Sequence, residues 1–209
     1  MYFPGSTAYL FSLISERVLS LVLVKFLIQD ISPEAFGLWA QAVSLSGLLH
    51  VLLMLRLDNV QIAVFSNIQA KYRKAIFLFP FFIIFLLSLL FFLPLTFFAN
   101  GLASFVFGGT EHISLLFPIL LFSASEAMCA MAHAFLRSSQ RQRFLAFFYF
   151  LRFGGRSLLL ILMLGPLKMS LETSITILAG YGLLICYLGF LPEDFCTVKK
   201  NTISSKWPS

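Results

Sequence analysis

The sequence predicts an all-α membrane protein, a polytopic helix bundle of six transmembrane helices. Hydrophobic residues make up 59% of the chain and Asp, Glu, Lys and Arg only 11%, against roughly a quarter charged residues in an ordinary soluble domain. The charged residues also fall in short clusters between apolar blocks that are long enough to cross a bilayer. Because basic loops of a membrane protein explain the net charge of +6, we expect no nucleic-acid partner.

The second helix has the clearest boundaries. Ser32 is suited to cap a helix, Pro33 suits the first helical position, and Glu34 complements the positive end of the helix dipole. The stretch 36–56 advances about 30 Å at 1.5 Å per residue, which matches the hydrocarbon thickness of a bilayer. We expect one continuous helix over about 35–67, with its last turns outside the hydrocarbon.

The other five helices share a long apolar run that ends at charges, glycine or proline. They are predicted at about 6–29, 75–98, 113–136, 144–164 and 173–191. The third helix tolerates Pro80 and Pro94 as kinks or ends, and residues 100–112 are predicted to form a loop. The six helices form one transmembrane domain over 1–192, followed by a short polar tail at 193–209.

The distribution of Lys and Arg predicts the orientation of the helices. Nine basic residues follow helices two, four and six: Lys71, Arg73, Lys74, Arg137, Arg141, Arg143, Lys199, Lys200 and Lys206. The loops after helices one, three and five hold only Lys168. Because cytoplasmic loops collect Lys and Arg, we expect a multi-pass protein with both termini, and therefore the polar tail, in the cytoplasm.

Five ionisable residues lie near the middle of predicted helices: Glu16, Arg17, Glu126, Arg152 and Arg156. A charge at that depth costs between about 2.5 and 10 kcal/mol or more, so such groups face a bundle interior or a wet cavity. Arg152 and Arg156 are four residues apart and project from one face of their helix. Three arginines against two glutamates leave a positive interior, which favours binding of a phosphate or diphosphate.

The same residues also fit a purely structural role. Arg17 with Glu126, or Glu16 with Arg152, would then form internal ion pairs that only fix helix packing. Glu16 and Glu126 also fit a coupling role, in which a carboxylate binds a proton or a sodium ion. The residue types alone leave pairing and coupling open, and the surplus of positive charge favours an anion site.

The remaining polar residues give weaker predictions. Arg56 and Asp58 lie near the cytoplasmic interface, where a charge costs little free energy. Arg56 is a candidate for substrate binding, and Asp58 is a candidate for ion pairing or coupling. Cys129 and His133 have helical spacing, but two possible ligands do not make a metal site, and we expect neither a metal nor a cofactor. The Gly154-Gly155 pair within the fifth helix predicts a close approach of a neighbouring helix.

Two segments resemble a known transporter family. Residues 32–39 (SPEAFGLW) and 56–62 (RLDNVQI) are similar to the first two helices of polysaccharide and O-antigen flippases. These belong to the multidrug/oligosaccharidyl-lipid/polysaccharide exporter superfamily. In that family a similar turn precedes helix two, and an Arg-aromatic-Glu-x-Ala-Ile-like run closes it. Here Leu57 replaces the aromatic residue, Asp58 the glutamate and Gln61 the alanine, so the match to this motif is partial. The likeness covers about the first 190 residues in helix order and loop polarity, and only the first 70 carry motif-like detail.

The resemblance implies a transporter rather than an enzyme. Such a protein turns an undecaprenyl-diphosphate-linked oligosaccharide from the cytoplasmic to the outer leaflet of the bacterial inner membrane, for biosynthesis of surface polysaccharide such as the O-antigen of lipopolysaccharide. Residues 15–19 (SERVL) are similar to the arginine-bearing first helix of lipid II flippases, which implies that Arg17 receives the diphosphate. The implied partners are the lipid-linked oligosaccharide and membrane lipids.

The length of the chain departs from the family, whose members have twelve to fourteen spans in two lobes. The resemblance therefore implies the N-terminal lobe only, which would act with a second lobe or a second copy of itself. A truncated, non-transporting protein or gene remnant and a small-molecule exporter of the same superfamily are the alternatives. The sequence contains no Gly-rich phosphate loop and no nucleophile elbow, so a membrane-bound transferase lacks any supporting motif.

Overall fold

A computed structural model describes residues 4–65, 72–138 and 142–190, and these residues contain helices and no strand. The α-helices are α1 (Pro4–Asp30), α2 (Pro33–Met54), α3 (Leu57–Phe65), α4 (Arg73–Phe97), α5 (Ala99–Phe107), α6 (Leu116–Ser138), α7 (Gln142–Phe150), α8 (Arg156–Leu164) and α9 (Leu171–Phe190). A 3₁₀ turn (Thr110–Leu115) precedes α6, and a π segment (Leu151–Gly155) joins α7 to α8. The predicted polar tail at 193–209 lies outside the described residues.

Four helical stretches of the described chain are long and apolar enough to cross a membrane. They are Pro33–Met54, Ala75–Phe97, Thr110–Ser138 and Phe144–Leu164. Helix α1, which carries Glu16, Arg17 and Lys25, is not among them, and the apolar part of α9 is shorter, Leu171–Tyr187. The described part of the chain is therefore all-helical with several helices suited to a bilayer, and six spans stay a prediction.

Helix α6 is the centre of the bundle. It packs against α2, α3, α4 and α9, and most of its residues are buried. The main apolar cluster joins Leu49 of α2, Ile119 of α6 and Leu178 of α9. The buried hydroxyl oxygens of Ser46 and Ser123 lie 3.2 Å apart and add a polar contact between α2 and α6. These contacts place the middle of α6 where several helices converge.

The predicted start of α2 is confirmed. Ser32 is the N-cap, and its Oγ accepts a hydrogen bond from the backbone N–H of Ala35 at 3.2 Å. Pro33 begins the helix and Glu34 lies in its first turn. The cap satisfies a backbone donor that has no partner within the helix.

The predicted single helix over 35–67 is wrong at its C-terminal end. Helix α2 ends at Met54, because Leu55 and Arg56 both adopt left-handed backbone conformations, with φ of 45° and 60°. The chain then resumes as α3. A left-handed conformation costs non-glycine residues roughly 1–2 kcal/mol each, and packing of α3 against α6 offsets that cost.

The predicted loop over 100–112 is also wrong. Most of it forms α5 and the 3₁₀ turn that follows. Ala103 is fully buried, and Phe107 packs against the main apolar cluster. Gly108 then ends α5 with a φ of 75°, a conformation that glycine adopts without a steric penalty. Burial of one apolar face explains why this stretch is helical.

The predicted helix over 144–164 is present, but a π segment interrupts it. Tyr181 of α9 donates a hydrogen bond from its hydroxyl to the carbonyl oxygen of Leu151 at 2.6 Å. A Cβ atom at Gly155 would overlap that hydroxyl. The close helix approach predicted from Gly154-Gly155 is therefore confirmed at Gly155, where α9 reaches the widened turn.

Candidate functional site

Three of the predicted mid-depth charges meet in one cluster, in which Glu126 of α6 bridges two arginines. Glu126 Oε2 accepts a hydrogen bond from Arg152 Nη2 at 2.7 Å. Its other oxygen, Oε1, lies 2.5 Å from Arg156 Nη1. The second contact is an ion pair without hydrogen-bond geometry, since Arg156 Nη1 has no hydrogen-bond partner among the described residues. We call Glu126, Arg152 and Arg156 the arginine cluster.

The π segment positions the two arginines. Arg152 lies within it and Arg156 is the first residue of α8, so the widened turn separates them. Residues four apart on a helix share a face, and here that face is directed at α6. Single-turn π segments inside α-helices are frequent at functional sites.

Aromatic rings and burial shield the cluster. The Arg156 guanidinium carbon lies 4.6 Å from the centroid of the Phe122 ring, and that of Arg152 lies 5.0 Å from the Phe153 ring. Both distances are within the range of cation–π attraction. The side chains of Arg152 and Glu126 are 10% and 13% exposed, and that of Arg156 is 25% exposed. Arg156 therefore forms the accessible side of the cluster.

The cluster carries unbalanced charge and unfilled donors. Two guanidinium groups face one carboxylate, so one positive charge remains without a counter-charge within the cluster. Arg152 Nε has no hydrogen-bond partner in the part of the chain that the structure describes. Because a buried charge is stable only when it is paired and hydrogen-bonded, such an arrangement favours the approach of an anion.

Glu16 lies in a different pair from those predicted. Its Oε2 accepts a hydrogen bond from the Tyr149 hydroxyl of α7 at 2.7 Å, and the Tyr149 ring lies 5.3 Å from the His133 ring. The predicted pairing of Glu16 with Arg152 is therefore wrong, as is that of Arg17 with Glu126. Glu16 instead joins α1 to α7 through a phenol.

Arg17 does not join the cluster, and its side chain is exposed. Successive residues on an α-helix point about 100° apart. Since Glu16 is directed at Tyr149 of α7, its neighbour turns away from that contact. The expected convergence of three arginines therefore holds for Arg152 and Arg156 and is wrong for Arg17.

The two interfacial candidates lie at the break between α2 and α3. Arg56 is exposed and has a left-handed backbone conformation, whereas Asp58 is half-buried in the first turn of α3. The structure gives neither of them an ion pair with the cluster among the described residues. Half-buried His50 of α2 lies close enough to Asp58 and to Glu126 to interact electrostatically with both.

The cysteines of the described chain have structural surroundings. Cys129 and Cys186 are buried and unbridged, and the Cys129 thiol donates a hydrogen bond to the carbonyl oxygen of Gly182 at 3.1 Å. Within residues 4–65, 72–138 and 142–190, His, Cys, Asp and Glu form no group of three suited to a metal ion. The thiol of Cys129 thus helps α9 to pack against α6.

Aromatic neighbours of the charges were not predicted. Phe122 precedes Glu126 by four residues, and Tyr149 precedes Arg152 by three. Both spacings put an aromatic ring on the same helix face as a buried charge. That signal was present in the sequence, but 26 Phe residues give many such coincidences.

Comparison of the chain with family models, with curated proteins and with solved structures gave no significant match. The class of protein therefore follows from the fold and composition alone. In the residues that the structure describes, the chain is all-helical, has the long apolar helices of a membrane protein and buries a positively charged cluster.

Proposed function

We propose that the chain is a flippase-type transporter lobe that moves an undecaprenyl-diphosphate-linked oligosaccharide across the bacterial inner membrane for surface polysaccharide biosynthesis. Six transmembrane helices with both termini in the cytoplasm, and a second lobe or a second copy of the chain, are parts of this proposal. The resemblance of residues 32–39 and 56–62 to polysaccharide flippases supports it. The arginine cluster supports it independently.

The observation that carries the proposal is the unbalanced positive charge inside apolar helices. Arg152 and Arg156 lie about 12 and 18 Å into the stretch that begins at Phe144, at 1.5 Å per residue. Two planar guanidinium groups at that depth match the oxygens of a diphosphate. In this proposal Glu126 holds the arginines in place, and a diphosphate enters from the partly exposed side of Arg156.

Exchange of partners then links binding to helix packing. An arriving diphosphate competes with Glu126 for guanidinium donors, so substrate binding loosens the contact between α6 and α8. Arg17 enters the proposal separately. Its exposed position on α1 suits the wall of a cavity shared with a second lobe.

A second candidate rests on the two contacts of Glu126. Because one carboxylate meets both arginines, the cluster also suits a non-transporting membrane protein in which it only fixes α6 against α8. A small-molecule exporter of the same superfamily is less favoured, since positively charged drugs would meet a cluster of the same sign.

Ligand binding separates these candidates. Purified full-length chain in detergent is titrated with farnesyl diphosphate and with farnesol, which shares the hydrocarbon but lacks the diphosphate. We expect farnesyl diphosphate to bind at least about tenfold more tightly, and Arg156→Gln to remove about tenfold of that preference, because charge-assisted hydrogen bonds exceed neutral ones. Arg137→Gln, at an exposed arginine at the end of α6, is the matched control. Equal affinities for the two ligands would contradict the proposal.

The oligomeric state and transport itself are tested separately. The mass of the purified particle in detergent distinguishes a dimer from a monomer, and a transport unit built from two copies requires the dimer. In cells whose surface polysaccharide depends on this chain, Arg17→Ala is expected to abolish export while membrane insertion is unchanged. Normal export by Arg17→Ala would remove this residue from the proposed substrate path.

A further inference from the structure

A largely apolar cleft lies between α3 and α4, lined by residues outside the arginine cluster. The two helices border a cleft of about 380 Å³. Seven of its eight lining residues are aliphatic, aromatic or proline side chains, and the eighth is Gln61. Val60 and Phe79, at its edge, are 55% and 62% exposed, so the cleft is open on one side. An apolar molecule entering from there would meet one amide.

The amide of Gln61 is buried without a partner. The residue is only 2% exposed, and neither Oε1 nor Nε2 has a hydrogen-bond partner in the described chain. Buried side-chain amides are normally satisfied because leaving both a donor and an acceptor unpaired is costly. The side chain therefore offers a donor and an acceptor to a molecule in the cleft.

Pro80 also borders the cleft and changes the backbone hydrogen bonding of α4. It lies inside α4 and has no backbone N–H, so the carbonyl of Ile76, one turn earlier, does not receive its usual hydrogen bond from residue 80. Both residues line the cleft. The cleft thus combines one buried amide with hydrocarbon walls, and none of its lining residues carries a charge.

We propose that this cleft binds an uncharged amphiphile whose head presents both a hydrogen-bond donor and an acceptor, as a primary amide does. Such a head pairs reciprocally with Gln61, and its hydrocarbon chain packs along Val60 and Phe79. A charged head is disfavoured because it would be desolvated without a counter-charge. A single water occupies about 30 Å³, far less than the cleft. This site is independent of the proposed transport function.

Three probes of similar chain length test the proposal on the full-length chain in detergent: decanamide, N,N-dimethyldecanamide and decane. We expect decanamide to bind about tenfold more tightly than decane, because its head pairs with both the Oε1 and the Nε2 of Gln61. The dimethyl compound has no N–H donor and only accepts a hydrogen bond, so we expect its affinity to lie between the other two. Gln61→Met keeps the shape and removes the preference. Gln41→Met, at an exposed glutamine of α2, leaves it unchanged. Equal binding of all three probes to the unmodified chain, or a preference that survives Gln61→Met, would overturn the proposal.

Photolabelling gives a second test that needs no substitution. Decanamide carrying a diazirine at the end of its chain is expected to label α3 and α4, and excess decanamide is expected to suppress that labelling. Labelling confined to other helices would overturn the proposal even if Gln61→Met does not fold. Because the readout is the labelled peptide, loss of transport activity does not affect it.

Discussion

The most informative substitution in this chain is Glu126→Gln, because it keeps the shape of the side chain and removes the charge that both arginines contact. Arg152 and Glu126 are 10% and 13% exposed, so Arg152 loses its counter-charge in a buried place. Breaking a buried ion pair on one side typically costs about 3–5 kcal/mol. Arg156 is 25% exposed and is able to turn toward solvent, and glutamine still accepts one hydrogen bond. We therefore expect the free energy of unfolding to fall by about 3 kcal/mol, at the lower end of that range.

A double substitution separates charge from packing. Replacing Arg152 by Gln in the Glu126→Gln background removes the guanidinium that lost its partner, so we expect at least half of the lost stability to return. The free energies of unfolding are measured by titrating SDS into detergent-solubilised chain and following helicity by far-ultraviolet circular dichroism. Glu172→Gln is the matched control. This exposed carboxylate in the first turn of α9 interacts with the helix dipole and contributes at most about 1 kcal/mol.

Two results would refute this reasoning. A loss from Glu126→Gln no larger than that from Glu172→Gln would mean that Glu126 is solvated rather than buried between two arginines. A double variant as unstable as the single one would mean that the lost energy came from packing of α6 and not from the unpaired guanidinium of Arg152. Either outcome would also remove the main support for an anion site.

Substitutions at three backbone features, each with its own comparison, test the fold by the same unfolding measurement. Gly155→Ala is expected to lower the free energy of unfolding by about 1–3 kcal/mol, because the new Cβ overlaps Tyr181. Adding Tyr181→Phe to Gly155→Ala should restore only part of that loss, because the ring carbon Cζ stays 2.8 Å from the new Cβ. Gly180→Ala, with open space around it, should cost nothing. Arg56→Gly is expected to add about 1 kcal/mol by relieving the left-handed backbone, and a loss of stability would show that its side chain matters more. Ser32→Ala removes the cap of α2 and should lower the free energy of unfolding by about 1 kcal/mol, whereas Ser32→Asp should keep most of the stability that the cap provides. Equal stability of Ser32→Ala and Ser32→Asp would contradict the role of the cap.

The sequence was sufficient wherever local chemistry decides the outcome. The cap at Ser32, the end of the fifth helical stretch at Leu164 and the tolerance of Pro80 inside a long apolar helix followed from residue types and their spacing. The pair of arginines on one helix face followed in the same way, because a spacing of four places residues together whatever surrounds them. These features need no knowledge of a neighbouring helix.

The sequence was insufficient wherever a contact between helices decides the outcome. Leu55 and Arg56 adopt left-handed conformations although no glycine or proline lies at that position to signal a break in the helix. The π segment is contacted by the Tyr181 hydroxyl, and Tyr181 lies 26 residues beyond it in the sequence. The partner of each charge was equally hidden. Glu126 was able to pair with any arginine at its depth, and only the rotation of each helix selected Arg152 and Arg156 over Arg17.

Composition and periodicity therefore determined by themselves that this chain is a helical protein built for a bilayer, since apolar length and clustered charge are local properties of the sequence. The tertiary structure alone decided which ionisable groups share a site. The physical reason is that a charge buried among apolar helices is stable only with a partner, and that partner is set by how α1, α6 and α8 are rotated against one another.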